Sequence, residues 1–475
     1  MPASIRSLFL FFVLLLTAEF CLTAAPVEHS AAKAPPWPHA QSDLSPDPDV
    51  VWDTLDNGLR VAILQHDEPP GRVSLRLLVE AGSLMETDRQ TGLAHFLEHM
   101  AFNGTEHFSA DEMVEYFQRL GMAFGADTNA HTTFDETVYK LELPEATDEM
   151  LSEGLRLLRD YADRMLLQEK EIDKERGVIL SEMRTRDSPG YRTYKAEIRF
   201  ALPQSRIPER LPIGTREVIS NAPREQFLQF YRTWYVPQRM AVVAVGDIAP
   251  DTVLSGIREH FRTMTPAETP PEMPDLGRLA NRSPAVGTHS EPQAAATHIA
   301  VRTVRRPVTL QDTRSKRKRE LRRELAHAIL QQRLDALARE EDSPFSKGNA
   351  YTYEWLDFVR FSGLDLTCEP ENWPRALTLA EQELRRWRTY PPTAAEIDEQ
   401  RARLLRRYRE AVKQRPTRRS RRLADALTTH LSRDRVFTSP EDERQLAQSV
   451  LSEIDAETVH ELLTMPIYHP VLEEG

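Results

Sequence analysis

The pentapeptide HFLEH at residues 95–99 carries the side chains of this chain that are best suited to chemistry. His95 and His99 are four residues apart, so on a helix both imidazoles project from one face and can bind one metal ion. Glu98 lies beside them in the order H-x-x-E-H, the reverse of the commoner H-E-x-x-H zinc signature. The spacing therefore indicates a zinc peptidase site in which Glu98 is available as a general base.

The neighbouring sequence predicts how this motif is held. Thr91 and Gly92 precede it, and Asn103 and Gly104 supply the left-handed residue at which a helix ends, so a short helix is expected between them. The segment 73–80, VSLRLLVE, alternates like a strand. We therefore expect a β-strand that leads into the helix carrying the two histidines.

A third metal ligand is needed, because a catalytic zinc ion keeps three protein ligands and leaves the fourth position to water. The best source is the helix predicted at 169–186, where Glu175 and Glu182 are seven residues apart and lie on one helical face. The apolar residues Val178, Ile179 and Met183 are expected on the same side, buried against the histidine motif. A carboxylate on a buried stripe is unusual unless it is paired or binds a metal, and the spacing alone does not choose between the two glutamates.

Longer stretches of the chain resemble the pitrilysin family of inverted zinc peptidases, which includes insulin-degrading enzymes and mitochondrial processing peptidases. The resemblance covers about residues 50–465 and weakens after 290. The interval from His99 to Glu182 is 83 residues, a few more than is usual in the family, which we interpret as a small loop insertion between 121 and 170. The stretches that carry the resemblance are NGLRVAIL (57–64), HFLEHMAFNGT (95–105), NAHTTFDETVYKLELP (129–144), ERGVILSEM (175–183) and FYRTWYVPQRMAVVAVGDI (230–248).

The resemblance implies a role for each residue of the two motifs. In the family, the second glutamate of the E-x6-E pair binds the metal and the first supports the site from outside. This implies a zinc ion held by His95, His99 and Glu182. It also implies that Glu98 is the catalytic base and that Glu175 is the supporting carboxylate.

The family also implies a substrate-binding site at Asn129 and Ala130. There, a strand at the edge of a sheet takes up an extended peptide by main-chain hydrogen bonds. Residues 131–143 are rich in β-forming residues and partly alternate, as such a strand requires. The alternative interpretation is a loop asparagine that satisfies its own turn.

The N-terminal region is predicted to direct export. Residues 1–25 have one arginine, a long apolar run and a Thr-Ala-Ala end, which indicate a secretory signal peptide and a periplasmic or secreted protein. Residues 26–48 are rich in proline and predict a linker. Cleavage after residue 25 leaves Cys368 as the single cysteine, so no disulfide within the chain is expected. We expect no integral membrane span after cleavage.

The alternation of strand and helix patterns indicates an α+β fold of two similar α/β sandwich-like domains, each a mixed, mainly antiparallel sheet flanked by helices. We predict a catalytic zinc peptidase domain at 49–265, a proline-rich linker at 266–290 and a second, inactive-type domain of the same family at 291–475. One helix of the first domain is expected between Ser109 and Gly121. Together the domains would form one half of a clamshell peptidase.

Two basic runs, at 314–323 and 401–422, stand out in a chain with a net charge of −12. Such runs occur in nucleic-acid-binding proteins, but solvated helix faces are the favoured interpretation for an exported acidic protein, so no nucleic-acid partner is expected. The acidic face of a partner half, or a membrane surface, would also attract such runs. Peptidases of the resembled family close two halves around the substrate. We therefore expect a second half, supplied by a homodimer, a heterodimer or a longer chain.

The predicted function is that of an exported zinc endopeptidase that hydrolyses peptides or unfolded polypeptides, with water on the zinc ion activated by Glu98. The alternative is a non-catalytic subunit that binds peptides or serves as a scaffold in a peptidase complex. The presence of Glu98 argues against this alternative, because a scaffold does not need a glutamate that activates water. A zinc hydrolase with non-peptide substrates is disfavoured by the strand expected around Asn129.

Overall fold

The computed structural model describes residues 35–110, 112–113, 121–122, 125, 127–280, 285–308 and 311–464. The predicted signal peptide at 1–25 and the first part of the predicted linker at 26–48 lie outside these residues. Most of the helix expected between Ser109 and Gly121 also lies outside them.

Six strands form the first sheet, in the order β1-β2-β6-β3-β5-β4. All neighbouring strands pair antiparallel except β2 and β6, which are parallel. Strand β6 comes last in the sequence among these six strands and is buried over its whole length. Its burial on both faces explains why its sequence MAVVAVG is apolar without alternation. The strands are Val50–Thr54 (β1), Arg60–Gln65 (β2), Val73–Val79 (β3), Thr128–Thr132 (β4), Thr137–Leu143 (β5) and Met240–Gly246 (β6).

Helices of the first half pack with this sheet in one continuous hydrophobic core. Several begin at a residue whose side chain accepts a hydrogen bond from the backbone N–H three positions on, as Thr147, Ser188 and Thr215 do. The helices are Leu93–Met100, Asp148–Asp163, Glu169–Arg186, Pro189–Ala201, Arg216–Asn221, Arg224–Trp234 and Pro250–Phe261.

The second half has a three-stranded antiparallel sheet in the order β7-β9-β8 and its own hydrophobic core. Cys368 ends β9 and is buried in this core. The strands are Thr297–Arg305 (β7), Lys347–Trp355 (β8) and Val359–Cys368 (β9). The helices are Arg314–Ala338, Trp373–Thr389, Ala394–Lys413, Ser420–Ser432, Pro440–Ser452 and Ala456–Thr464.

One helix of the second half, Ser420–Ser432, covers the opposite face of the first sheet. Leu423 and Leu427 pack there against buried aliphatic residues of the sheet. Arg76 of β3 is fully buried below this helix and forms ion pairs with Glu142 at 2.6 Å and with Asp425 at 2.9 Å. The first sheet is therefore covered on both faces, and the two halves share apolar and ionic contacts.

The α+β class with mainly antiparallel sheets flanked by helices is confirmed, although the second sheet is smaller than the first. The domain limits stay predictions. In the described part of the predicted N-terminal linker, Trp37 Nε1 donates to Thr54 Oγ1 at 3.1 Å and Ser42 Oγ donates to the carbonyl oxygen of Asp312 at 2.5 Å. This segment therefore contacts both halves.

Arginines of the basic runs form ion pairs with acidic side chains of the same or neighbouring helices. Arg403 pairs with Glu399 at 2.5 Å and Arg407 with Glu324 at 2.6 Å. Such pairs are typical of solvated helix faces. Within the described ranges, no helix has both the length and the apolar character needed to cross a membrane.

Candidate metal centre

The helix Leu93–Met100, called the histidine helix below, carries the H-x-x-E-H motif. Phe96 and Met100 on this helix are fully buried, and the ring of Phe96 meets Phe227 edge to face with centroids 4.8 Å apart. The expected strand leads to the helix, because β3 ends at Val79 and a short 3₁₀ turn precedes it. The packed apolar side fixes the direction in which the polar side chains of the motif point.

Glu86 holds the start of the histidine helix. Its two carboxylate oxygens accept the backbone N–H groups of Gly92 at 2.8 Å and of Ala94 at 2.9 Å, and its side chain is fully buried. Burial outweighs these two donors and raises the pKa of Glu86 to about 8. Both of its oxygens nevertheless accept hydrogen bonds, which is the geometry of an ionised carboxylate. Gly92 has a φ of 97°, and a Cβ there would lie 2.8 Å from the Cα of Gly214.

The helix Glu169–Arg186, called the glutamate helix below, packs against the histidine helix. Ile179 is fully buried, as expected, but Val178 is 49% exposed, so the prediction that it shares the buried side is wrong. Successive residues turn by about 100° on a helix, which carries Val178 away from the contact. Arg176 connects the glutamate helix to the helix Arg216–Asn221 by donating to the carbonyl oxygen of Ile219 at 2.6 Å.

The structure brings His95, His99 and Glu182 together, with one ligand atom of each within 4.8 Å of the others. Glu182 Oε2 lies 3.5 Å from His95 Nε2 and 3.6 Å from His99 Nε2. These separations are longer than good hydrogen bonds. They are close to the ~3.3 Å between neighbouring ligands of a tetrahedral site with bonds of about 2.0–2.1 Å. Two imidazoles and one carboxylate therefore fit a zinc ion in both chemistry and spacing.

Further side chains support this cluster from outside. Glu175 Oε1 lies 2.8 Å from His99 Nδ1, and Asn103 Nδ2 donates to Glu175 Oε2 at 3.1 Å. Arg186 pairs with Glu182 at 2.5 Å. The sequence interpretation used Asn103 only as the end of a helix and assigned it no role at the site. Its spacing of four residues from His99 is the signal that indicates the contact.

The carboxylates make the site favourable for a cation. The nearby His99 imidazole lowers the pKa of Glu182 to about 2, and burial lowers the pKa of His95 to about 4. Burial also lowers the pKa of His99, but the hydrogen bond to Glu175 and the nearby carboxylate of Glu182 outweigh burial and raise this pKa to about 9. An ionised Glu182 and a neutral His95 are the protonation states in which these groups bind a metal.

Glu98 lies beside the cluster and is 9% exposed. Burial raises its pKa, and a hydrogen bond from Thr132 opposes that rise. The Thr132 hydroxyl oxygen lies 2.7 Å from Glu98 Oε2. Sequence reasoning did not identify Thr132, because only the fold joins it to a glutamate 34 residues away.

The strand β4, which carries Asn129 and Ala130, is the last strand of its sheet. Asp127 accepts a backbone hydrogen bond from β5 at 2.7 Å, and Thr133 donates one to the turn before β5 at 2.8 Å. Hydrogen-bonded pairs alternate in an antiparallel ladder, so the peptide groups of Ala130 and Thr132 point towards the outer edge. Asn129 lies in a strand rather than a loop, although its side chain accepts the N–H of Ala130 at 2.8 Å.

A paired histidine and glutamate helix on a mainly antiparallel sheet is the arrangement of an inverted zinc peptidase domain. The model of the insulinase peptidase family M16 matches residues 61–192, and the model of the peptidase M16 inactive domain matches residues 221–404. The chain belongs to the peptidase M16 (insulinase) family, which confirms the pitrilysin type expected from its sequence.

Curated relatives of the chain are much longer proteins. The probable zinc protease PqqL of Escherichia coli is 37% identical over 218 residues, which are 46% of this chain and 23% of that protein. The zinc protease PQQL-like protein of Arabidopsis thaliana is 32% identical over 293 residues, which are 61% of this chain and 30% of that protein. The matched region therefore spans less than a third of either relative.

Among solved structures too, the chain matches one part of a longer protein. The first half of the periplasmic protease PqqL from Escherichia coli has a TM-score of 0.79 at 27% identity, and the match covers 88% of this chain and 90% of that chain. The structure of the periplasmic protease PqqL from the same bacterium has a TM-score of 0.82 at 28% identity, and the match covers 88% of this chain and 46% of that chain. The chain therefore matches one half of a two-half protease.

Proposed function

We propose that this chain is the zinc-binding, catalytic half of an exported M16 metalloendopeptidase that hydrolyses peptides or unfolded polypeptides. The observation that carries the proposal is the meeting of His95, His99 and Glu182 beside the buried carboxylate of Glu98. Relatives named as zinc proteases support the same reaction class.

Each side chain then has a defined task. A zinc ion held by the three ligands would act as a Lewis acid on a water molecule and on the scissile carbonyl. Glu98 accepts the proton of the attacking water and returns it to the leaving amine, and its raised pKa suits a group that must do both. Glu175 and Asn103 fix the orientation of the His99 ring.

The edge strand β4 supplies a way to bind the substrate in extended form. A peptide that adds to the sheet beside β4 would meet the carbonyl of Ala130 and the peptide groups of Thr132. Asn129 lies next to these groups and is exposed to the same space. Main-chain recognition of this kind favours extended or unfolded polypeptides over folded proteins, because only an extended segment can add as a strand.

Export and a second half complete the proposal. The similar Escherichia coli protein PqqL is a periplasmic protease, and the predicted signal peptide at 1–25 fits a protein of that compartment. The chain matches the first half of that protein's structure, so a second half, in the same polypeptide or in a partner, would close the substrate chamber. The mass of the native assembly distinguishes these two sources.

The metal ligands are tested by zinc content. We expect about one zinc ion per chain, most of it lost in Glu182→Gln and less in Glu175→Gln, because the first removes a ligand and the second a support. Glu171→Gln on the same helix, whose side chain contacts Lys174, is a matched control that should keep its zinc. Equal loss in the Glu175 and Glu182 variants would show that the third ligand is wrongly assigned.

The base is tested separately from the metal. Glu98→Gln keeps the size of the side chain but cannot accept a proton, so zinc should be retained while peptide cleavage falls by about 10² or more. Cleavage close to the wild-type rate in this variant would rule out the mechanism. A wild-type protein that binds zinc and peptide but does not cleave would favour the non-catalytic subunit instead.

A further inference from the structure

Thr132 touches the proposed base with its side chain. Its hydroxyl oxygen lies 2.7 Å from Glu98 Oε2 and 3.4 Å from the Thr137 hydroxyl oxygen. The Thr137 hydroxyl donates its own proton to the carbonyl of Ala81 at 2.9 Å. Because an ionised carboxylate only accepts, the Thr132 hydroxyl donates to Glu98. Among the residues that the structure describes, it is the donor that fixes this carboxylate.

The main chain of the same residue faces the outer edge of the sheet. Asn129 and His131 occupy the hydrogen-bonded positions opposite β5, so the peptide groups of Thr132 are directed away from that strand. A substrate strand added at this edge would bind the main chain of the residue whose side chain holds the base. One residue thus joins the two parts of the proposed site.

We infer that Thr132 is a positioning residue that fixes the Glu98 carboxylate relative to a peptide bound at the edge of β4. This inference rests on the proposed peptidase function. The bound peptide and the base then share one rigid reference point, so a substrate in register at the edge has its scissile bond at a set distance from Glu98. Loss of the hydroxyl should leave peptide binding intact and impair the chemical step.

The experiment compares Thr132→Val, which removes the hydroxyl at similar size, with Thr132→Ser, which keeps it. Thr132→Val should lower kcat by about 10-fold or more with unchanged KM and zinc content, and Thr132→Ser should recover most of the loss. The matched control is Thr128→Val on the same strand, because the Thr128 hydroxyl is buried without a hydrogen-bond partner in the described structure. That variant should cleave at the wild-type rate.

A second measurement does not depend on activity. In zinc-free protein, Thr132→Val should lower the midpoint of urea unfolding, and this shift should shrink in a Glu98→Ala background, where the hydroxyl has no carboxylate to hold. Thr128→Val should give the same shift in both backgrounds.

Two results would overturn the inference: a wild-type kcat in Thr132→Val, or equal losses in Thr132→Val and Thr132→Ser together with additive unfolding shifts. A zinc-loaded wild type without peptidase activity would overturn the proposed function, and this assignment with it, before any variant is compared. An active wild type beside an unaffected Thr132→Val would overturn the assignment alone.

Discussion

Glu86 should determine how firmly the histidine helix is held, although it contacts no metal ligand side chain. Glu86→Ala removes both acceptors and leaves the buried N–H groups of Gly92 and Ala94 unpaired. Hydrogen bonds to charged groups contribute about 1.5–3 kcal/mol each, so the gross loss is about 3–6 kcal/mol. Part of this loss is offset, because the alanine variant no longer has to remove a charged carboxylate from water when it folds. We therefore expect the free energy of unfolding to fall by about 3 kcal/mol.

The same change should weaken zinc binding. His95 follows Ala94 directly, so a shift at the start of the helix moves the first ligand. Loss of a group that orients a ligand typically lowers metal affinity by about 10- to 100-fold, and we expect a value in this range. Glu86→Gln, which keeps one acceptor oxygen, should fall between the wild type and the alanine variant. Urea denaturation in the presence of a chelator gives the stability, and a competition titration gives the zinc affinity.

Asp312→Ala is the matched control for this prediction. Asp312 is also buried, at 3% exposure, and accepts a hydrogen bond from Arg317 at 2.6 Å, but it lies in the second half. This variant should also be destabilised, yet its folded form should bind zinc as the wild type does. The reasoning would be refuted by equal zinc affinity in the Glu86→Ala and Asp312→Ala proteins. It would also be refuted if Glu86→Ala lowered the free energy of unfolding by less than about 1 kcal/mol.

Three further predictions address the rest of the molecule. Arg76→Ala removes a fully buried guanidinium and its ion pairs with the partly exposed carboxylates of Glu142 and Asp425, so denaturation should show a loss of about 1.5–3 kcal/mol, the usual scale for hydrogen bonds between charged groups, and an unchanged midpoint would contradict the proposed contact between the halves. The hydrogen bond from Arg333 lowers the pKa of Glu396 from 4.5 to about 2, so its contribution to stability is complete above pH 4.5 and is lost as the pH falls towards 2. Glu396→Gln should therefore be less stable at neutral pH and lose less stability on acidification, and equal loss in both proteins would count against this ion pair. Zinc at a thousandfold excess over its Kd should stabilise the wild type by about 4 kcal/mol in thermal unfolding, and Glu182→Gln should lose most of this gain.

Features that depend on local spacing could be predicted from the sequence. The four-residue interval between His95 and His99 places both rings on one face, because a helix turns every 3.6 residues regardless of its surroundings. The apolar run MAVVAVGDI at 240–248 is typical of a buried strand, and β6 at Met240–Gly246 is buried throughout. The seven-residue interval between Glu175 and Glu182 placed both carboxylates on one face of the glutamate helix. The spacing did not show which glutamate binds the metal. The resemblance to a family implied that Glu182 is the ligand and Glu175 the supporting carboxylate, and these roles stay predictions.

Features that depend on contacts between distant segments were decided by the tertiary structure alone. Val178 has an apolar side chain but is exposed, because the contact between the two helices fixes which side of the glutamate helix is buried. Thr132 meets Glu98, and Glu86 meets the start of the histidine helix, through the register of the sheet and the path of a loop. Helix periodicity is a property of each segment, whereas these contacts arise only when the sheet brings separate segments together. For that reason the sequence by itself determined which residues could bind a metal, and the fold decided which residues hold them in place.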